Sequence, residues 1–418
     1  MARYEGLASV RRALSMPNGE AWLDIKPDGL NWQWAQVQPD RAREALAVAL
    51  TAIDGRWKLY ISLPDDQESN LLEIVGISKT PDQPEPLVLY RGEAGIGGYD
   101  LAETRDRALA FDFNSSGKLD HLVFYRPGGR TIWFLRNDGG TFTAINRGET
   151  ILGNYDLADN RDRVFAFDYN SSGRLDHLVF YRPGPGDCRI FRNNGGTFTP
   201  VYTGMGIGGY DLFDDRDRGF AFDYTGNGRL DHLVFYRPGT ETIWVLRNNG
   251  GTFEQANNGA SILANYDLAD NRDRAFPFDY NSSGNLDHLV LYRAGNGDCR
   301  IFRNNDTVFT PVYSGMGIGG YDLFGNTDDG FAFDFNNVGK LDHLVFYRPG
   351  ETYFWILRNT GGTFNSLPGY NGSGVRGYDF ADPRDRAFAF DYNSNGRLDN
   401  IVVYRPGTGR IWILNSLN

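Results

Sequence analysis

One phrase returns six times along this chain and decides what it can fold into. AFDYNSSGRLDHLVFYRPG, or a close variant, has its first aspartate at Asp112, Asp168, Asp223, Asp279, Asp334 and Asp391, a spacing of 55–57 residues. Self-similarity at such a period marks a repeat architecture, in which each unit buries its faces only against its neighbours. Each copy reads as four short strands: AFAFDY, LDHLVFYR after an NSSG loop, TIWVLRN after a PG turn, and GTFTPVY after an NGG turn. Four strands per repeat predict a β-propeller blade, so the expected fold over residues 84–418 is all-β with six blades.

The ends of the repeat region predict a closed ring. After the sixth motif the chain supplies only a second and a third strand, ending in RIWILNSLN. The missing outer strand is found before the first motif, where EPLVLYRGEAGIGGYDL aligns with TFTPVYTGMGIGGYDL. A strand over residues 86–92 is therefore expected to pair beside Arg410–Leu414 and remove an edge that would otherwise invite aggregation. Residues 1–80 lack the repeat. They read as a small α+β domain: two strands, a helix over Asp40–Ile53, and strands at Trp57–Ser62 and Leu71–Ile77. Trp22, Trp32, Trp34 and Trp57 are expected in its core.

The formal net charge of −11 disfavours the phosphate backbone of nucleic acid and anionic lipid as partners. No run of about 18 apolar residues occurs, so no membrane insertion is expected, and the N-terminus shows no apolar signal core. The expectation is a soluble protein, cytoplasmic or released without a recognisable signal peptide, that needs no cofactor. Cys188 and Cys299 stand in the same phrase, GDCRIFRNN, two blades apart. That is too far for a disulfide, so both read as free thiols. The sequons at Asn114, Asn170 and Asn281 belong to the repeated loop rather than to a glycosylation pattern.

That loop, DFNSSGKLD at Asp112–Asp120, places oxygen-bearing side chains at positions 1, 3, 5 and 9 with Gly117 at 6, a spacing suited to a hard cation. The candidate ligands are Asp112, Asn114, Ser116 and Asp120; Asp168, Asn170, Ser172 and Asp176; Asp279, Asn281, Ser283 and Asp287; and Asp391, Asn393, Asn395 and Asp399. With two carboxylates per loop, and Val338 at position 5 of the fifth copy, any Ca²⁺ is expected to be weak and uneven. The alternative is a metal-free loop closed by Asx-type hydrogen bonds. The five histidines His121, His177, His232, His288 and His343 each follow the loop's last aspartate and read as structural.

On these loops the chain resembles the FG-GAP or VCBS propeller repeats, whose family form is DxDxDGxxD. It is similar, more closely still, to the propeller lectins of the Psathyrella velutina and Photorhabdus type. The resemblance covers about four-fifths of the chain and implies carbohydrate as the ligand class.

Blade topology puts the YRPG turns and the GIGGYDL connections on one face. The candidate sugar-binding residues there are Trp133, Trp244, Trp355 and Trp412, the pairs Tyr99 and Asp100, Tyr210 and Asp211, and Tyr321 and Asp322, and the arginines Arg126, Arg237 and Arg348. Aromatic faces stack on sugar rings, while carboxylate and guanidinium bind hydroxyls. Blades two and four carry Arg189 and Arg300 in place of tryptophan. The expected function is multivalent binding of glycans, mono- or oligosaccharide ends on cell surfaces, by a chain that is not an enzyme and for which an oligomer is a possible state. The alternatives are a protein-interaction scaffold presenting the N-terminal domain and, with Asn326, Asp328, Asp329 and Arg376 as the best departures from the repeat, an enzyme using the propeller face.

Overall fold

The computed structural model describes residues 2–16, 20–27, 33–37, 42, 45–46, 49, 57–64, 71–81, 88–148, 152–153, 155–306 and 308–415. They divide into two compact units, Met1–Pro86 and Leu87–Asn418.

In the first unit β1 (Ala2–Ser15), β2 (Ala21–Pro27), β3 (Gln33–Val37), β4 (Trp57–Pro64) and β5 (Leu71–Pro81) close a barrel in the order β1-β2-β3-β5-β4. β1 pairs with β2 through its C-terminal half and with β4 through its N-terminal half. A register shift between Val10 and Arg12 lets so long a strand bend around the barrel. β3 and β5 run parallel, and helical residues Ala42, Ala45, Leu46 and Ala49 fall between β3 and β4. This is the strand order of an OB-type barrel. Ala42, Ala45 and Ala49 pack with Leu23, Ile25, Leu59 and Ile61 in its core.

The expected α+β domain is thus corrected. Three strands, not two, precede the helical segment, and the sheet closes on itself. The rest of the predicted Asp40–Ile53 helix lies outside the described residues, as does Trp32. Trp34 is 40% exposed and so is not a core residue.

The second unit holds six four-stranded antiparallel sheets, which bring the chain to seven sheets in all. Before the first lies β6 (Val88–Gly92). The first sheet itself is β7 (Arg107–Phe111), β8 (His121–Arg126), β9 (Thr131–Asn137) and β10 (Phe142–Arg147), in chain order from inside to outside. β8, HLVFYR, is buried on both faces, because each sheet is sandwiched between two others.

The last sheet is completed by β6: Ile411 pairs with Gly92, Trp412 with Arg91, Ile413 with Tyr90 and Leu414 with Val88. The outer strand expected over residues 86–92 is observed from Val88; residues 82–87 lie outside the described residues.

Two cycles of backbone hydrogen bonds close the ring. On one face the N–H of each loop aspartate donates to a leucine carbonyl of the next sheet, from Asp112 to Leu175 and so on until Asp391 donates to Leu119. On the other, the glycine of each second-to-third-strand turn donates to the following connection, from Gly128 to Leu157 round to Gly407 to Leu101. Leu122 and Phe124 of the first sheet share a core with Phe390, Val402 and Tyr404 of the last. A closed ring of six such sheets is a six-bladed β-propeller. Cys188 and Cys299 are free and buried, and burial pushes both thiols up.

Candidate binding sites on the ring faces

The turn-to-connection bonds confirm that the YRPG and YDL elements share a face. They also show what the recurring polar residues do there. The Tyr99 hydroxyl donates to Asp106 at 2.7 Å. Arg126 donates to Asp106 at 2.7 Å through Nε and to Asp100 at 2.6 Å through a terminal nitrogen. The same clasp joins Tyr210, Asp217, Arg237 and Asp211, and Tyr321, Asp328, Arg348 and Asp322.

Asp106, Asp217 and Asp328 are fully buried, so each clasp is a charge-assisted network with its central carboxylate out of water. Asp328 therefore occupies the ordinary position of the repeat and is not a departure from it. The sequence reading missed this aspartate, although it recurs in every copy.

Burial corrects part of the predicted site. Tyr99, Tyr210 and Tyr321 are 2–3% exposed and have committed their hydroxyls. Burial first, and the neighbouring aspartate second, push their phenols far above the ordinary range. Arg126, Arg237 and Arg348 are held inside the clasp. Trp412 is only 5% exposed, with Arg91 over its ring at 4.3 Å and its Nε1 donating to Glu93 at 3.3 Å.

What remains at the surface is a smaller set. Asp100, Asp211 and Asp322 keep 51–61% of their side chains exposed while gripped by arginine. Trp133, Trp244 and Trp355 are half-buried, each edge-on to its tyrosine at 5.6–5.7 Å. The Cβ position of Gly209, at φ +91°, lies 3.3 Å from the Trp244 ring, so the GIGG connection lies directly against the indole. In blades two and four Arg189 and Arg300 take the indole's place over Tyr155 and Tyr266.

Two further aromatics escaped the sequence reading. Phe213 and Phe324 are 57% and 58% exposed, and Met205 and Met316 are each 67% exposed. Each phenylalanine ring occupies the space a side chain on Gly186 or Gly297 would need. The signal was a break in the repeat: YDLF replaces YDLA only in the connections into blades three and five.

On the opposite face Asp112 accepts the backbone N–H groups of Ser116 at 2.8 Å and Gly117 at 2.7 Å. Asp334 makes the same pair with Val338 and Gly339 at 3.0 and 2.7 Å. The loop thus takes its shape whether or not position 5 carries an oxygen. Asn114, Asn170, Asn281 and Asn393 are exposed, as are Ser116, Ser172, Ser283 and Asn395. The closing carboxylates Asp120, Asp176, Asp287 and Asp342 each meet the Nδ1 of the following histidine at 2.6–2.7 Å. Among the described residues no three His, Cys, Asp or Glu side chains gather as a metal site would require.

No protein-family model and no curated protein sequence matches the chain. Among solved structures, the chain is similar to an Agrocybe aegerita lectin described for specific recognition of non-reducing terminal N-acetylglucosamine. The identity is 19% over all of this chain and 91% of that one, with a TM-score of 0.48. It is also similar to the periplasmic gluconolactonase of Pseudomonas aeruginosa (10% identity, 87% of this chain and 85% of that one, TM-score 0.35) and to the GH74 enzyme of Niastella koreensis (13%, 99% and 44%, 0.38). The expectation that the chain is not an enzyme is corrected: enzymes stand beside a lectin among the similar structures. No helix among the described residues is long and apolar enough to cross a membrane.

Proposed function

We propose that this chain is a multivalent carbohydrate-binding protein whose sites lie on the YRPG and YDL face, at the connections into blades one, three and five. The observation that carries this reading is the recurrence there of an exposed carboxylate, fixed by an arginine and next in sequence to a tyrosine that meets a half-buried indole: Asp100 with Trp133, Asp211 with Trp244, Asp322 with Trp355. A carboxylate already oriented by its partner accepts two sugar hydroxyls without a further ordering cost, and an indole edge offers the C–H face of a pyranose an apolar contact. The buried Nε1–H of Trp355 finds no acceptor among the described residues. Exposed Phe213 and Phe324, three residues after the tyrosine on the connections into blades three and five, offer a further aromatic face there.

The test is a glycan array followed by titration calorimetry on the strongest hit. Trp244→Ala is expected to remove roughly 1–3 kcal/mol from one class of site, the scale of one aromatic contact. Phe213→Ala, on the surface, is expected to weaken the same site at unchanged melting temperature. If neither variant alters affinity or stoichiometry while Trp244→Ala lowers the melting temperature, the indoles are core residues and the assignment fails.

A further inference from the structure

The central channel opens, on the YRPG and YDL face, into a cavity of about 430 Å³. Its wall is built by the first or second residue of each inner strand: Arg107, Arg163, Arg218, Arg274 and Arg386 line the cavity, and Asp329 takes the sixth position. In the sequence these are the last residues of the RDR phrase, which reads TDD in blade five alone.

Other arginines of this face are neutralised. The YRPG arginines sit in their two-aspartate clasps, and Arg161, Arg216, Arg272 and Arg384 each grip the aspartate two residues before them at 2.5–2.6 Å. The five channel arginines form no ion pair among the described residues. The Nε–H groups of Arg163, Arg218, Arg274 and Arg386 are buried without an acceptor among the described residues.

Leaving four buried charged donors unmatched is costly, and gathering five like charges in one channel adds repulsion. Burial, and after it the charges of Arg386 and Arg163, push the guanidinium of Arg107 below its ordinary range, whereas the charge of Asp329 outweighs burial at Arg274 and holds that guanidinium above it. Guanidinium forks lining a polar cavity match the oxygens of a phosphate or carboxylate, and the volume falls in the range of small-molecule sites. Asp329 makes the ring asymmetric. Among the six ring positions it is the one carboxylate beside five guanidiniums, and it accepts from the Tyr292 hydroxyl at 3.2 Å, the Gly330 N–H at 3.0 Å and the Tyr347 hydroxyl at 3.4 Å.

We propose that this cavity binds a small hydroxylated oxyanion, a phosphate ester or a hydroxy acid, with its anionic oxygens among the arginines and a hydroxyl donating to Asp329. The site is separate from the rim sites and does not depend on them.

The experiment is titration calorimetry of the full chain at low ionic strength with glycerol phosphate, glycerate and inorganic phosphate, each against sodium chloride at matched ionic strength. One saturable site per chain is expected for glycerol phosphate or glycerate, and which of the two binds separates ester from acid. Arg218→Gln is expected to weaken that site at least tenfold. The melting temperature of the unliganded variant should hold or rise, because a like charge has been removed. Trp244→Ala should leave the site untouched. Asp329→Asn should narrow the preference for the hydroxylated ligand over inorganic phosphate. Binding no stronger than chloride for all three probes overturns the proposal. So does an Arg218→Gln chain that melts lower and binds as before.

Discussion

Asp399 shows what the histidine after each loop contributes. In four of the other blades burial also works against the closing aspartate. There the hydrogen bond to the following imidazole, helped by a hydroxyl donor from a neighbouring loop, holds Asp120, Asp176, Asp231 and Asp342 below the ordinary carboxylate range. Blade six has Asn400 instead, whose side chain is spent on the Tyr392 N–H and on Asn415. Asp399 is left with an Oδ1 that has no partner among the described residues, and burial pushes the carboxyl up to about 6. A carboxyl raised in the folded state favours folding while protonated, and that contribution is lost as pH rises through about 6. Asp399→Asn is therefore expected to raise stability at pH 8 by about 1–2 kcal/mol, after allowance for screening, and to change little at pH 4. Denaturant melts at the two pH values decide it; an equal effect at both would mean that the carboxyl is not charged at a cost. The same scale explains what the sequence concealed. Tyr99 and Arg126 recur in every blade, and recurrence alone does not separate a residue that holds a blade together from one that faces a ligand. The channel arginines were hidden for a related reason, since the two arginines of RDR look alike until the fold turns one outward to an aspartate and the other into the channel.

Elements were legible wherever the repeat spoke for them. Six copies of one strand pattern fix register and turn positions redundantly, and the alignment of EPLVLYRG with TFTPVYTG led to the strand that closes the ring. The barrel has no second copy to check against. QWAQV is only five residues long, and its pairing partners lie far along the chain, so the third strand went unread and the closure with it. The closing strand itself carries a prediction. Val88, Leu89 and Tyr90 pack against the cores of the last and first blades, so a chain beginning at residue 93 loses that apolar burial and exposes the Ile411–Leu414 edge. Compared with a chain beginning at residue 82, it is expected to melt several degrees lower and to aggregate sooner on heating. An unchanged melting temperature would show that the outer strand adds nothing to ring stability. The loops carry another. Because the backbone N–H groups already satisfy Asp112 and Asp334 alike, calcium is proposed to bind weakly and not at all around Val338. Millimolar calcium against chelator should then shift the melting temperature by no more than a degree or two; a shift of many degrees at micromolar calcium would mean these loops are true sites.

At the scale of the whole molecule, the ring converts a two-blade alternation into a spatial pattern. Trp133, Trp244 and Trp355 belong to blades one, three and five, so the three proposed sites recur every second blade on one face. Blade six breaks the pattern by covering Trp412 with Arg91 and Glu93. A monosaccharide offers little apolar area and must give up its hydration, so each site alone is expected to be weak. Three sites fixed on one rigid face engage a glycan-coated surface together, and linkage of this kind raises apparent affinity by roughly 10²–10⁴ without any new contact. Calorimetry with the free monosaccharide should therefore give close to three sites per chain, with stoichiometry falling stepwise as Trp133→Ala, Trp244→Ala and Trp355→Ala are combined. Binding to a surface carrying the same sugar should collapse by roughly that factor once two sites are lost, while the affinity of the remaining site for free sugar stays as it was. A stoichiometry of one, or surface binding that falls only in proportion to the number of sites, would show that the repeat serves the fold and that recognition rests on a single place in the ring.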